Sequence, residues 1–329
     1  MTMDDIITLD YGSGGKKTSR LIENMLAPVM NLGELGDGAV LKDGTAFSTD
    51  SFVVNPLFFP GGNIGKLAVC GTVNDVSMCG AVPEYLSCAF IIEEGLSTET
   101  LQKVVDAMSA AAEEAGVQIV TGDTKVVEKG RGDGLYINTA GIGKIRYPGL
   151  SVKAIRPGDK VIVSGTVGDH GTAVMLARSG MMRGEIKSDC APLNGLCGAI
   201  LESSKNVRVL RDPTRGGVAT TLNEFVENTT LSIELDETLI PVRENVNAAC
   251  GMLGLDPLYC ANEGKLLCVV PPEDAETVLA AMRAHEYGAD AAIIGEVTGN
   301  HPGKVILKTR PGGSRILQKL AGAQLPRIC

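Results

Sequence analysis

The chain has 329 residues, 44% of them hydrophobic and 21% charged, and carries a formal net charge of −9. This is globular composition; the acidic balance, with no basic stripe interleaved with aromatics, excludes a nucleic-acid binder. No apolar run approaches the roughly 20 residues of a membrane helix, and the start, MTMDDIITLD, has neither the basic residues nor the apolar stretch of a signal peptide, so a cytoplasmic protein is expected.

The elements follow in chain order. Thr18 to Asn31 has near-helical spacing of Leu21, Met25, Leu26 and Val29. Thr45 to Val54 reads as a strand carrying Asp50, Asn63 to Cys79 as a small-residue helix, and Tyr85 to Ile92 as a strand. Thr98 to Ala115 is an amphipathic helix, followed by strands at Val117 to Val120 and Leu135 to Ile145. Turn chemistry between Arg146 and Gly158 places a domain boundary there. The second half alternates: strand 160–164 then a helix, strand 207–210 with helix 218–227, strand 266–270 with helix 273–285, and a last strand at 305–308. Arg315 to Leu320 reads as a short helical stretch in an otherwise mobile tail, with Gly312 and Gly313 as its hinge and Pro326 keeping its end non-helical. The expectation is an α+β protein with domains at 1–148 and 149–309 and a tail at 310–329, since single cores seldom grow past about 250–300 residues.

Nine cysteines contain no Cys-x-x-Cys pair, which argues against a metal ribbon or a disulfide framework. Most sit among Ala, Val and Leu and read as buried small hydrophobes. Cys329 differs in being the last residue.

Several segments could carry chemistry, each with a plainer alternative. Gly12-Ser13-Gly14-Gly15-Lys16 precedes a helix and suits an anion or a flexible turn. Asp37, Asp50, Asp75 and Asp123 suit magnesium shared with phosphates, or turns and caps. Asp75 stands out, because a carboxylate inside an apolar helix is costly unless paired. Lys125 suits a phosphate or a surface ion pair. Arg211 to Gly217, with Arg215 and Gly216, suits anion binding before a helix. Glu263, just before an apolar strand, suits a general base or a solvated turn. His170 suits helix capping with a packed ring; His285 and His301 look like surface residues.

Together these segments resemble the HypE family of hydrogenase maturation proteins, within the superfamily of aminoimidazole ribonucleotide synthetase and selenophosphate synthetase. The motifs that carry the resemblance are Phe47 to Ser51, Asn55 to Gly65, Thr121 to Val127, Asp212 to Gly217, Asn262 to Lys265 and the terminal Pro326-Arg327-Ile328-Cys329. The family often begins the Gly-rich loop with His, where this chain has Tyr11. The resemblance implies a homodimer sharing a β-barrel, with ATP and Mg2+ held by the aspartates. It further implies that HypF carbamoylates Cys329. The group is dehydrated to a thiocyanate with Lys125 and Glu263 assisting, and the cyanide passes to the HypC–HypD complex. A small-molecule kinase of the same superfamily and a non-catalytic nucleotide-binding scaffold are the alternatives.

Overall fold

The computed structural model describes residues 6–30, 36–180, 186–322, 324–325 and 327–329. Asn31 and Pro326, on which two of the expectations above bear, lie outside them.

Helix α1 (Lys16–Leu21), a π-helical turn (Ile22–Leu26) and α2 (Ala27–Met30) open the chain. The first half continues with β1 (Ala39–Val40), β2 (Thr45–Phe52), β3 (Phe58–Phe59), β4 (Gly62–Asn63), α3 (Ile64–Met78), β5 (Ala81–Glu93), α4 (Thr98–Ala115), β6 (Gln118–Val127) and β7 (Leu135–Ile145). Its five-stranded sheet has the order β1-β2-β7-β5-β6, antiparallel except for the parallel pair β5–β6. The Asn63 side chain caps α3, accepting from the amides of Gly65 at 2.8 Å and Lys66 at 3.1 Å. α3 and α4 pack closely at Gly65, where a Cβ would lie 2.3 Å from the Val104 carbonyl oxygen. Between these helices and the sheet lies a core of Phe52, Leu67, Leu86, Val104 and Ile137.

The second half holds β8 (Lys160–Val163), α5 (Asp169–Ser179), α6 (Asn194–Ser203), β9 (Val209–Arg211), α7 (Gly217–Val226), β10 (Ser232–Asp236), α8 (Glu244–Leu253), β11 (Leu267–Val270), α9 (Ala275–Arg283), β12 (Ala292–Thr298), β13 (Val305–Lys308) and β14 (Ser314–Leu317). Its seven-stranded sheet runs β14-β13-β10-β12-β8-β11-β9. The α+β class expected from the sequence is the class observed.

Three expectations are corrected. The helix expected at Arg315 to Leu320 is strand β14, paired antiparallel with β13 in the register Val305 to Leu317. Gly312, at φ +92°, and Gly313 make the turn of that hairpin instead of a hinge. The strand expected at Val117 to Val120 extends to Val127 and carries Asp123 and Lys125 in its middle.

The last residues are docked. The Val53 amide donates to a main-chain oxygen of Cys329 at 3.0 Å and the Asn55 amide to the Arg327 carbonyl oxygen at 3.3 Å. Ile328 and Cys329 are buried and join the first-half core.

Candidate active site

One cavity of about 590 Å³ is lined by Asp37, Asp50, Asp75, Asp212, Arg211, Arg215, Glu263 and Cys329. That is a typical size for a small-ligand site. Gly14 also lines it. Gly12, Ser13 and Gly216 line a smaller space of about 130 Å³ that shares Arg215 and Cys329 with the first. The cavity forms where α3, β2 and the loops after β9 and before β11 meet.

Single oxygens of Asp37, Asp75 and Asp212 lie within 4.8 Å of one another. Asp75 sits one turn from the C-terminus of α3, where the helix dipole opposes a negative charge. Burial drives its carboxyl well above the ordinary range, and Asp212, Asp37 and Asp50 push the same way. Burial raises Asp37 to about 6 even though Arg211 Nε lies 2.6 Å from its Oδ1. Asp212 is raised by burial and then by Asp37. Asp37 Oδ2 and Asp212 Oδ2 are buried without a hydrogen-bond partner. Three crowded carboxylates, two of them with an orphaned oxygen, are a donor set suited to a hard cation such as Mg2+.

Glu263 is fixed through its backbone. Its amide donates to Asp189 Oδ1 at 3.1 Å and its carbonyl accepts from Asn74 Nδ2 at 3.4 Å. The preceding residue, Asn262, accepts from the Gly168 amide and donates to the Pro213 carbonyl through its side chain. A Cβ at Gly264 would lie 1.8 Å from the Asp189 carbonyl oxygen, so only glycine lets this strand entry pass. The side chain is buried, Oε1 has no partner, and burial holds its carboxyl well above the usual range. The solvated-turn alternative is thereby removed. The Cys329 thiol is pushed up by burial, with Arg215 opposing.

The Gly-rich segment behaves differently from a phosphate loop. The Ser13 amide donates to the Asp10 carbonyl, Gly14 to Thr18 Oγ1, Gly15 to Ser13 Oγ and Lys16 to the Leu320 carbonyl. These amides are occupied, and a Cβ at Gly15 would come within 2.5 Å of Leu320 O. The glycine there admits the tail.

Asp123 and Lys125 are not brought to the cavity within one chain. Asp50 pairs in register with Thr139, Thr139 with Cys88, and Cys88 with Gly122. The face that carries Asp50 is therefore that of Gly122, and Asp123 and Lys125 project from the opposite one. There they are exposed and paired, with Lys125 Nζ 2.6 Å from Asp123 Oδ2. Two further residues matter that carry no site signal of their own in the sequence: Asp212, which stands in an arginine turn, and Ser48, which donates to Asp75 Oδ2 at 2.7 Å. Lys319, which reaches Glu224 and Glu227 at 3.3 Å, was hidden in the supposed helix.

Residues 35–145 match the N-terminal domain and 156–308 the C-terminal domain of AIR synthase related proteins. The carbamoyl dehydratase HypE of Azotobacter vinelandii is 48% identical over 98% of this chain and 97% of its own length. The chain belongs to the HypE family of carbamoyl dehydratases. The Escherichia coli HypE is 47% identical over 98% of this chain and 99% of its own. Among solved structures, a HypE in complex with ATP superimposes with a TM-score of 0.84 at 48% identity, covering 98% of this chain and all of its own. A HypE–HypF complex gives 0.87 at 50% identity, covering 91% and 99%. Thiamine monophosphate kinase from Aquifex aeolicus, at 17% identity and a TM-score of 0.67 over 90% of this chain and 96% of its own, shares the fold. No helix among the described residues is long and apolar enough to cross a membrane.

Proposed function

We propose that the chain is an ATP-dependent carbamoyl dehydratase that converts an S-carbamoyl group on its own Cys329 to an S-cyano group, the source of cyanide for the iron of [NiFe]-hydrogenases. The observation that carries this reading is that Cys329 shares a cavity wall with four aspartates, Arg215 and the buried Glu263. A terminal thiol inside an acidic cavity has little use unless it brings a substrate there.

The chemistry follows from the substrate. An amide oxygen is a poor leaving group. When it accepts the γ-phosphoryl group of ATP, the C–O bond can break with phosphate departing, and loss of both N–H protons leaves the C≡N bond. The products are ADP, phosphate and the cyano group, so the carrier loses one water equivalent. Magnesium, when bound, supplies neutralising charge for the phosphates; Asp37, Asp75 and Asp212 would hold it, with Asp50 in the same wall. Arg215 offsets charge on the transferred group. Glu263 takes an amide proton, and Oε1, which has no other hydrogen-bond partner, is available for it. Burial of the thiol keeps water from competing for the phosphoryl group.

Asp123 and Lys125 contribute only through a second subunit, because the sheet separates them from their own cavity. All but the last residue of β6 are exposed, and Ile119, Val120 and Val126 are apolar, which supports a homodimer built on this edge. The carbamoyl group comes from HypF and the cyanide goes to HypC–HypD, in the cytoplasm; the tail must leave its seat for both exchanges. Mass spectrometry tests the reading. Carbamoylated protein given Mg-ATP loses one water at its C-terminal peptide, and Cys329→Ala yields no modified peptide. Modification of the Cys329→Ala protein at its C-terminus would refute the carrier assignment.

A further inference from the structure

We infer that His170 is a positioning residue for the carrier thiol, holding the backbone of the last peptide while leaving the reacting atoms to others. His170 lies in the first turn of α5 and is wholly buried. A buried imidazole needs a partner at each nitrogen. Nε2 lies 2.8 Å from the Ile328 carbonyl oxygen and Nδ1 lies 2.8 Å from Ser188 Oγ. The carbonyl can only accept, so Nε2 carries the proton and Nδ1 accepts from the Ser188 hydroxyl. Ser188 Oγ in turn accepts from the Cys190 amide at 3.1 Å. The chain of bonds therefore runs one way, into the tail. Phe59 meets the imidazole edge to face at 5.4 Å and fixes its plane.

The same helix grips the tail a second time. Two turns on, Arg178 Nη2 donates to the Arg327 carbonyl at 2.8 Å and to that of Asn55 at 2.6 Å. α5 thus holds the oxygens of residues 327 and 328, while the amides of Asn55 and Val53 bond those of Arg327 and Cys329. Of the two α5 side chains that hold the tail, His170 is the nearer to the thiol, one peptide away, and with the Val53 amide on Cys329 itself it sets where the thiol stands in the cavity wall.

The inference rests on the reading of Cys329 as carrier, and the experiment separates the two. Cys329 alkylation by iodoacetamide is followed by mass spectrometry, with Cys250 as a buried reference, beside single-turnover dehydration of carbamoylated protein. His170→Phe keeps the ring but loses both hydrogen bonds. It should raise Cys329 alkylation and slow dehydration, each by about tenfold, the worth of one good hydrogen bond. His170→Gln, whose amide can donate to the same carbonyl, should restore both to within about threefold of wild type. Ser188→Ala should give an intermediate effect, and decides the matter with His170→Gln if the Phe variant does not fold. The inference is overturned if the variants match wild type, if Gln is as impaired as Phe, or if Cys250 alkylation rises in step with Cys329. If wild-type protein fails to dehydrate while the alkylation pattern holds, the dehydratase reading falls and the positioning role stands.

Discussion

At the scale of single residues, Glu263 shows what burial adds to a motif. Its sequence context fits a solvated turn equally well; the structure instead encloses the carboxylate and leaves Oε1 unpartnered. A base must be deprotonated to act, and a raised carboxyl loses its proton later as pH rises. Single-turnover dehydration should therefore climb with pH through a midpoint above the ordinary carboxylate range. Glu263→Gln should lose about 10²- to 10⁴-fold in rate and abolish that limb. An unchanged pH profile in the Gln variant would remove Glu263 as the base. Glu263, Arg215 and Cys329 were legible because their neighbours form recognisable motifs. Asp212 was not, although it stands in one of them: a turn aspartate and a cation ligand look identical until the chain brings Asp37 and Asp75 beside it. His170 suits helix capping with a packed ring in the sequence, and its role toward the tail is not legible there, since its partner Ile328 lies 158 positions away.

At the scale of elements, α4 and most of the second-half strands and helices follow from periodicity, whereas the tail does not. Ile316, Leu317 and Leu320 imitate a helical stripe, yet β13 offers an open edge one turn away and pairing with it wins. The Gly-rich segment is ambiguous for a related reason. Glycine marks close approach of backbone, and sequence does not say whether the visitor is a phosphate or the chain itself. Here it is the Leu320 carbonyl. Gly15→Ala should therefore displace the tail crossing, costing about 1–3 kcal/mol in thermal or denaturant unfolding and raising the reactivity of Cys329. Wild-type stability in that variant would mean the crossing is not tightly packed.

At the scale of the whole molecule, the carboxylate cluster makes the fold depend on charge it does not itself supply. Groups whose folded pKa is raised cost nothing while protonated, and stability is lost as pH rises through the folded value. For Asp37 that window runs from its ordinary 3.8 to about 6, and Asp75, Asp212 and Glu263 extend it upward. Metal-free protein should thus melt at lower temperature at pH 7 than at pH 5, and millimolar Mg2+ should reverse much of the loss by binding the folded form. Calorimetry with and without chelator measures both; a flat profile would show the acids are relieved some other way. The exposed edge at β6 carries its own test: Val120→Glu should halve the molar mass found by sedimentation and depress dehydration, whereas an unchanged mass would move the dimer contact elsewhere. The register that sends Asp123 and Lys125 to the far side of the sheet could not be read from sequence, because it depends on a chain of pairings across β2, β7, β5 and β6.

Arg327 is held through its side chain as well, by Val53 and Asp133, but the hydrogen bonds described for Ile328 and Cys329 run through their main-chain oxygens. Such a seat is blind to cargo. A bare thiol, a carbamoylated one and a cyanated one present the same backbone to His170 and Val53, so these bonds give no sense of whether the load is fresh or finished. The order of delivery, conversion and handover must then be imposed from the other side of the cavity, by whichever state of the nucleotide occupies it.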